Sequence, residues 1–392
     1  MKGEYFIMGN VIAYIDEFGG YTFVEKPMCE LDGLILSHLS YYVYDGIVPT
    51  LEEAPASIKL EDLGRDIDKE NFISVKWELE KNRELFEKVT SSRRYRSARA
   101  CFYVHEIDND SAVQFGAVTF VLGNGDVFVS FRGTDDELVG WKEDFYMACR
   151  APVGAQIRSA EYLNRIAEHF IKRKNLRLYL GGHSKGGNLA VYAAMCCDDH
   201  VKHKIARIYD MDGPGFHPEF MKHLDYDSIR DKIFKIVPDG SFVGLLMETR
   251  TDYTLIKSTQ IGLSQHVTLS WCVEGDSFVR SNDADPARKA LYDKINQWIY
   301  DMSREQVDNF TENLFKLIEI TEASTLTDLK TVMPDAPKKL HNIGIEYRKM
   351  GEKTKHIFWE ISVFIMEVAA QDQQDRIKKS KTLEKIRQHI EA

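Results

Sequence analysis

Apolar residues recur along the chain at two periods, and the change from one to the other divides it. Near the N-terminus Leu31, Leu34, Ile35, His38 and Leu39 fall on one face at helical spacing, which predicts an amphipathic helix packed on a core. His38 on that face reads as a structural histidine. Residues 60 to 98 are charged, with helical patches at Val75, Leu79, Leu85, Phe86 and Val89. The basic run SSRRYRSAR (91–99) reads as a solvated face or loop rather than a phosphate site. Strand signals then take over. CFYVHEID (101–108) alternates, and residues 112–134 read as two strands joined through Gly123-Asn124-Gly125, a strong hairpin signal. An amphipathic helix is expected over 158–172, a short buried strand over 177–182 and a small-residue helix over 188–197. Further strands are expected at 205–216, 232–241 and 252–258. Strands separated by helices predict a mainly parallel sheet with crossover helices and an antiparallel portion at one side.

Beyond about residue 287 glycine becomes rare and long helical patterns dominate: Leu314, Leu317, Ile318 and Ile320 on one, Ile357, Ile361, Phe364, Ile365 and Val368 on another. The expected organisation is an α/β domain over 1–286 and a helical region over 287–392, with Pro334 and Pro337 breaking the helices. IFWEISVFIMEVAA (357–370) is apolar on more than one face, which predicts burial against the first domain or another copy of the chain.

Composition narrows the function. Of 392 residues, 44% are hydrophobic, enough for a sizeable core, and the net charge of −10 argues against nucleic acid as a partner. The six cysteines form neither a CxxC pair nor a disulfide framework. No secretory h-region and no apolar run near 18 residues is present, so a cytoplasmic, reduced location is expected. No metal or cofactor is expected.

The chemistry concentrates in LYLGGHSKGGNLAVYAA (178–194). Gly182-His183-Ser184-Lys185-Gly186 fits G-x-S-x-G, placed after a buried strand and before a helix. A serine in such a turn points its hydroxyl out of the sheet's carboxyl end. Gly182 and Gly186 are required because a Cβ there would meet the strand or helix. The Lys185 N–H, at the helix start, suits a developing oxyanion. Phe131-Arg132-Gly133-Thr134 ends an earlier strand and offers Thr134 as the second donor, with Arg132 tying a carboxylate behind the turn.

A serine needs a base. The candidates are His200, His203, His217, His223 and His266, of which His200 and His203 lie in the polar stretch CDDHVKHK. His266, in GLSQHVTLSW, follows the last strand and fits the chain order Ser…Asp…His, with His217 as runner-up. For the acid, Asp239 follows one strand end and precedes a glycine. Asp212 follows the previous strand in the same manner, and Asp210 lies within that strand. Asp239 is the favoured reading and Asp212 the alternative.

The blocks FRGT, GHSKGGNLAVYAA, DGPGF, IVPDGSFVGLLM and QHVTLSW occur in this order. They resemble a bacterial branch, of unassigned function, of the class 3 lipase-like α/β-hydrolases, over roughly residues 9–280. The resemblance implies an α/β-hydrolase fold and a Ser184–His266–Asp239 triad with Thr134 and Lys185 as oxyanion donors. It further implies hydrolysis of acyl lipids or similar esters through an acyl-enzyme. Lys185 departs from it, since class 3 lipases usually carry leucine there. The resemblance also places a lid after Thr134, so that Trp141 and Phe145, with Leu246 beyond Asp239, are candidates to line an acyl groove. Core packing is the competing reading for all three. Thioesterase or peptidase chemistry on the same triad, and a silent fold used as a binding module, are the alternatives. The partner expected is an ester or lipid-like small molecule. The helical tail would cover the site or pair with another copy, and contact with a membrane surface is the weaker expectation for it.

Overall fold

The chain was analysed as a computed structural model, which describes residues 9–66, 71–282, 286–325, 327–328 and 337–391. Its centre is an eight-stranded sheet whose strands lie side by side in chain order. They are β1 (Ile58–Lys59), β2 (Arg99–Asp108), β3 (Val113–Val121), β4 (Val127–Phe131), β5 (Leu178–His183), β6 (Ile205–Met211), β7 (Ile233–Pro238) and β8 (Tyr253–Ile256). β1 to β4 pair antiparallel, and β4 to β8 pair parallel. The β3–β4 hairpin turns at the expected glycines, with Gly125 at φ +87.

Parallel neighbours need crossovers, and right-handed crossovers that keep stepping in one direction put their helices on one face. Those helices are α5 (Leu138–Met147), α6 (Gly154–Phe170), α7 (Lys185–Cys196), α8 (Asp199–Lys202) and α9 (Pro218–Met221). The N-terminal helices α1 (Val11–Phe18), α2 (Glu30–His38), α3 (Leu60–Asp66) and α4 (Leu79–Ser91) complete the order. The sheet therefore has two cores. Val129, Phe131, Leu180 and Ile208 pack with α6 and α7, while Phe128, Tyr179, Tyr209 and Ile236 pack with the N-terminal residues. This alternation along each strand is the period of two that places neighbours on opposite faces.

The basic run before β2 departs from expectation. Arg94 and Tyr95 are buried, and Arg94 Nη2 lies 2.6 Å from Asp32 Oδ2 on α2. A fixed carboxylate inside the N-terminal layer draws this arginine out of solvent. His38 is structural as expected. Its Nε2–H donates to Asn82 Oδ1 at 2.6 Å and its Nδ1 accepts from Thr268 Oγ1 at 3.0 Å, so it ties α2 to the loop after β8.

From Pro286 onward the elements are helical: α10 (Pro286–Asp301), α11 (Arg304–Glu319), a helix over Pro337–Lys349 and a terminal helix over Glu352–Glu391. Pro337 opens a helix, whereas Pro334 lies outside the described residues. The terminal helix buries Ile357 and sets Phe358 against Phe310 and Phe364 against Trp298. Burial does not extend around it as the sequence suggests, for Trp359, Ile365 and Met366 are exposed. Among the described residues no helix is long and apolar enough to cross a membrane.

Candidate active site

Parallel strands deliver their carboxyl ends to one edge, and the candidate residues gather there. β5 ends at His183 and α7 begins at Lys185, so Ser184 alone makes the turn, at φ 58 and ψ −132. That left-handed φ is unfavourable for a residue with a Cβ. It is held by neighbours: the Ser184 N–H donates to Met211 O at 3.1 Å, and the Gly187 N–H donates to Ser184 O at 2.9 Å. The turn is tight enough that a Cβ on Gly182 would lie 2.2 Å from the Gly186 carbonyl carbon. Strand and helix start can approach this closely only as glycines.

The FRGT turn lies against the same point. A Cβ on Gly133 would lie 3.2 Å from the Ser184 Cβ and 2.5 Å from the His183 carbonyl oxygen. Among the described residues, neither the Thr134 nor the Lys185 backbone N–H meets an acceptor. The Thr134 hydroxyl is engaged elsewhere and donates to Asp144 Oδ2 at 2.6 Å. The other oxygen of Asp144 is buried without a partner, and burial pushes this carboxyl up to about 6 against the pull of Lys185 and Thr134. Arg132 is buried behind the turn, its Nη2 3.7 Å from Asp135 Oδ2.

Lys185 contributes its backbone to the edge while its side chain turns inward. Its Nζ donates to Glu143 Oε2 at 3.0 Å and to Gln114 O at 3.1 Å, with both ionic side chains 1% exposed. The charge that distinguishes this motif thus lies in the interior and couples α7 to α5.

His266 lies in the loop after β8, its side chain 24% exposed. Its Nδ1–H donates to Asp212 Oδ2 at 2.6 Å, which leaves Nε2 with a lone pair. Asp212 is fully buried and takes a left-handed φ of 56 as the chain leaves β6, turning its carboxylate toward that loop. Ser241 Oγ donates to Asp212 Oδ2 at 2.5 Å and the Gly244 N–H to Oδ1 at 3.1 Å. Asp239, favoured from the sequence for this place, does not meet His266. Its carboxylate accepts from Ser281 Oγ at 2.7 Å. Asp210 is also excluded, being paired with Lys235 Nζ at 2.7 Å inside the sheet. His217 caps α9, its Nδ1 accepting the Glu219 N–H at 3.3 Å.

His183, the residue before the serine, connects the elbow to His266. The two rings lie 4.3 Å apart, and His183 Nε2–H donates to the His266 carbonyl at 2.9 Å. A carbonyl only accepts, so Nδ1 is unprotonated and takes the Tyr41 hydroxyl at 3.0 Å. Burial, with His266 and His38 nearby, holds His183 well below the ordinary histidine value. Sequence reasoning placed His183 only as part of the glycine-rich turn. Its signal was the motif position itself, one residue from the serine. Among the described residues no hydrogen bond joins Ser184 Oγ to His266. Contacts of this kind often tighten only when substrate binds.

The Mbeg1-like family matches residues 89–316, well over half of the chain and the whole of this edge. The chain belongs to the Mbeg1-like family. No curated protein sequence matches it. Among solved structures it is similar to M37 lipase, at 14% identity and a TM-score of 0.37 over 56% of this chain and 70% of that one. It is similar to a mutant form of MDLA from Penicillium cyclopium, at 15% and 0.38 over 64% and 85%. It is also similar to Lip2 lipase from Yarrowia lipolytica, at 12% and 0.34 over 63% and 81%. The sheet order, the flanking helices and the strained turn after β5 make this Mbeg1-like chain a lipase-like α/β-hydrolase fold with a C-terminal helical region.

In this Mbeg1-like chain the segment after Thr134 forms α5. Trp141 is partly exposed, its Nε1–H donating to Asp135 O at 3.1 Å. Phe145 faces the helical region, with Phe310 at 5.7 Å and Phe315 at 6.5 Å. Leu246 is half-buried, its carbonyl accepting the Gly215 N–H at 2.8 Å. Lys142 Nζ and the Tyr146 hydroxyl both reach Glu312, and the Leu138 N–H donates to Ser324 O at 3.0 Å. The helical region therefore grips α5 along its length.

Proposed function

We propose that the chain is a serine hydrolase of carboxylic esters, with Ser184 as nucleophile, His266 as base and Asp212 in place of Asp239 as the orienting acid. The observation that carries this reading is the His266–Asp212 pair set beside a serine in a strained strand-to-helix turn. The carboxylate fixes the imidazole with Nε2 unprotonated, the form that can accept the serine proton. Ser184 Oγ attacks the ester carbonyl as its proton passes to Nε2. The negative oxygen is held by the Lys185 and Thr134 N–H groups. Collapse expels the alcohol, which takes the proton from His266. Water then repeats the sequence on the acyl-enzyme, releasing the acid and restoring the serine.

The Thr134 backbone is the donor in this scheme, because its hydroxyl is committed to Asp144. The support for the two N–H groups is that neither has another acceptor among the described residues, and donors left free at the start of a helix and at a strand-end turn suit a developing charge.

The test is labelling of the purified chain with a fluorophosphonate, followed by peptide mass spectrometry. Modification at Ser184 that disappears in His266→Ala is expected. A folded chain that resists labelling, or a Ser184→Ala chain that hydrolyses a p-nitrophenyl ester at the wild-type rate, would refute the reading. A panel of esters, thioesters and anilides separates ester hydrolysis from thioesterase and peptidase chemistry.

A further inference from the structure

The terminal helix presents two unlike faces. Inward lie Ile357, Ile361, Phe364 and Val368, none of them exposed. Outward, Trp359 is 63%, Met366 56% and Ile377 48% exposed, and Ala370 is exposed between them. At about 100° per residue these four fall within roughly 40° of one line along the helix. Ile365, also exposed, lies about 120° away from that line and is not part of it. The same helix then becomes basic. Arg376, Lys378, Lys379, Lys381, Lys385 and Arg387 stand against Glu384 and Glu391, in a chain whose net charge is −10. The helix also packs on the turn Gly262–His266, where Leu263 is half exposed.

We infer that this outward face is a docking surface for an anionic lipid bilayer. Exposed Trp and aliphatic residues on a helix that continues into a lysine- and arginine-rich segment have the chemistry of an interfacial helix. The apolar side chains enter the headgroup boundary and the basic ones meet anionic headgroups. The charge contrast with the rest of the chain gives the surface its direction, since an acidic body is held off the bilayer while the basic end is drawn to it. A coiled-coil partner fits less well, because the seven-residue series from Trp359 runs Trp359, Met366, Gln373, Ser380, Arg387 and sustains no apolar seam. The inference deepens the ester-hydrolase reading, on which it rests for the choice of a lipid over other anionic surfaces.

The experiment is vesicle co-sedimentation of the full chain carrying Ser184→Ala, which cannot consume the lipid. Vesicles of phosphatidylcholine with one part in three phosphatidylglycerol are compared with phosphatidylcholine alone. Binding is expected to the anionic vesicles only, and to weaken as salt rises. Trp359→Asp with Met366→Asp is expected to lower partitioning at least tenfold, with circular dichroism and melting unchanged. Lys378→Glu, Lys379→Glu and Lys381→Glu together are expected to abolish the preference for anionic vesicles. No sedimentation with anionic vesicles overturns the inference, as does equal sedimentation of the aspartate variant. A dimer in light scattering that the aspartate variant abolishes, without vesicle binding, assigns the face to a second copy instead. Vesicle binding that follows the expected pattern, together with a wild-type chain that fluorophosphonate does not label, would sink the hydrolase reading and leave the surface standing.

Discussion

His266 Nδ1 lies 2.6 Å from Asp212 Oδ2, and the Asp212 N–H is itself donated to Ile236 O at 2.8 Å. The acid is thus fixed by sheet pairing and by the Ser241 hydroxyl before it meets the imidazole. Asp212→Asn should keep the fold and lower kcat by about 10⁴, because an amide can present N–H to Nδ1 and favour the wrong tautomer. Asp239→Asn should change kcat by less than about threefold, since Asp239 serves Ser281. Steady-state turnover of a soluble ester by both variants decides between them, and a larger loss in the Asp239 variant would reinstate the sequence-based choice.

Lys185 should matter to stability more than to turnover. Its ammonium and the Glu143 carboxylate are both shut off from water and face each other at 3.0 Å. Removing one partner strands the other, at a cost of about 3–5 kcal/mol. Lys185→Met is expected to show that loss in urea unfolding, and adding Glu143→Gln should restore much of it. Turnover per folded molecule should stay within about tenfold, because the backbone N–H remains. A loss of kcat without loss of stability would place the ammonium in the reaction.

Two buried histidines predict acid sensitivity. Burial lowers His38 from 6.5 to about 4, opposed by its bond to Asn82, and holds His183 low as well. As pH falls the unfolded chain takes up these protons first. The stability the neutral rings confer is therefore complete above about 6.5 and is lost as pH falls through about 4. His38→Gln should be less stable than wild type at pH 7, yet show a shallower fall between pH 6.5 and 4. Urea midpoints measured across that range test it, and parallel slopes would exclude His38 as a contributor.

The grip of the helical region on α5 predicts local loosening. Phe310 is buried against both Phe145 and Phe358. Phe310→Ala should cost about 3–5 kcal/mol if the site cannot collapse. Hydrogen exchange in residues 138–147 should accelerate more than in β5 or β6. Uniform acceleration across the chain would mean that α5 has no separate opening.

Much of this architecture was legible because local chemistry and global fold agree. Alternation named β2, the Gly-Asn-Gly turn between β-rich runs named the β3–β4 hairpin, and small residues around Ser184 named the elbow. Chain order pointed to His266, which the structure pairs with an aspartate. The aspartate it pairs with is not the one favoured from the sequence, for a physical reason. β6 and β7 are both followed directly by Asp-Gly, so their sequences are equivalent signals. What separates them is the left-handed φ of Asp212, which a string of letters does not display. The inward course of Lys185 was equally hidden, since Glu143 lies 42 positions away. Arg94 was misread for the same reason, its partner Asp32 being 62 positions distant. The terminal helix was legible in part: one apolar face packs on the chain, as expected, while Trp359, Ile365 and Met366 stay exposed.

The adjoining rings of His183 and His266 set the route of the proton in the proposed reaction. His183 already spends its single N–H on the His266 carbonyl, and its lone pair is taken by Tyr41. It offers the neighbouring imidazolium no vacant acceptor. A proton lifted from Ser184 therefore has no relay into the protein interior and waits on Nε2 beside the bond that is about to break. With the way inward occupied, the proton can leave only outward, to the alcohol at the partly exposed side of the ring or to the solvent it faces.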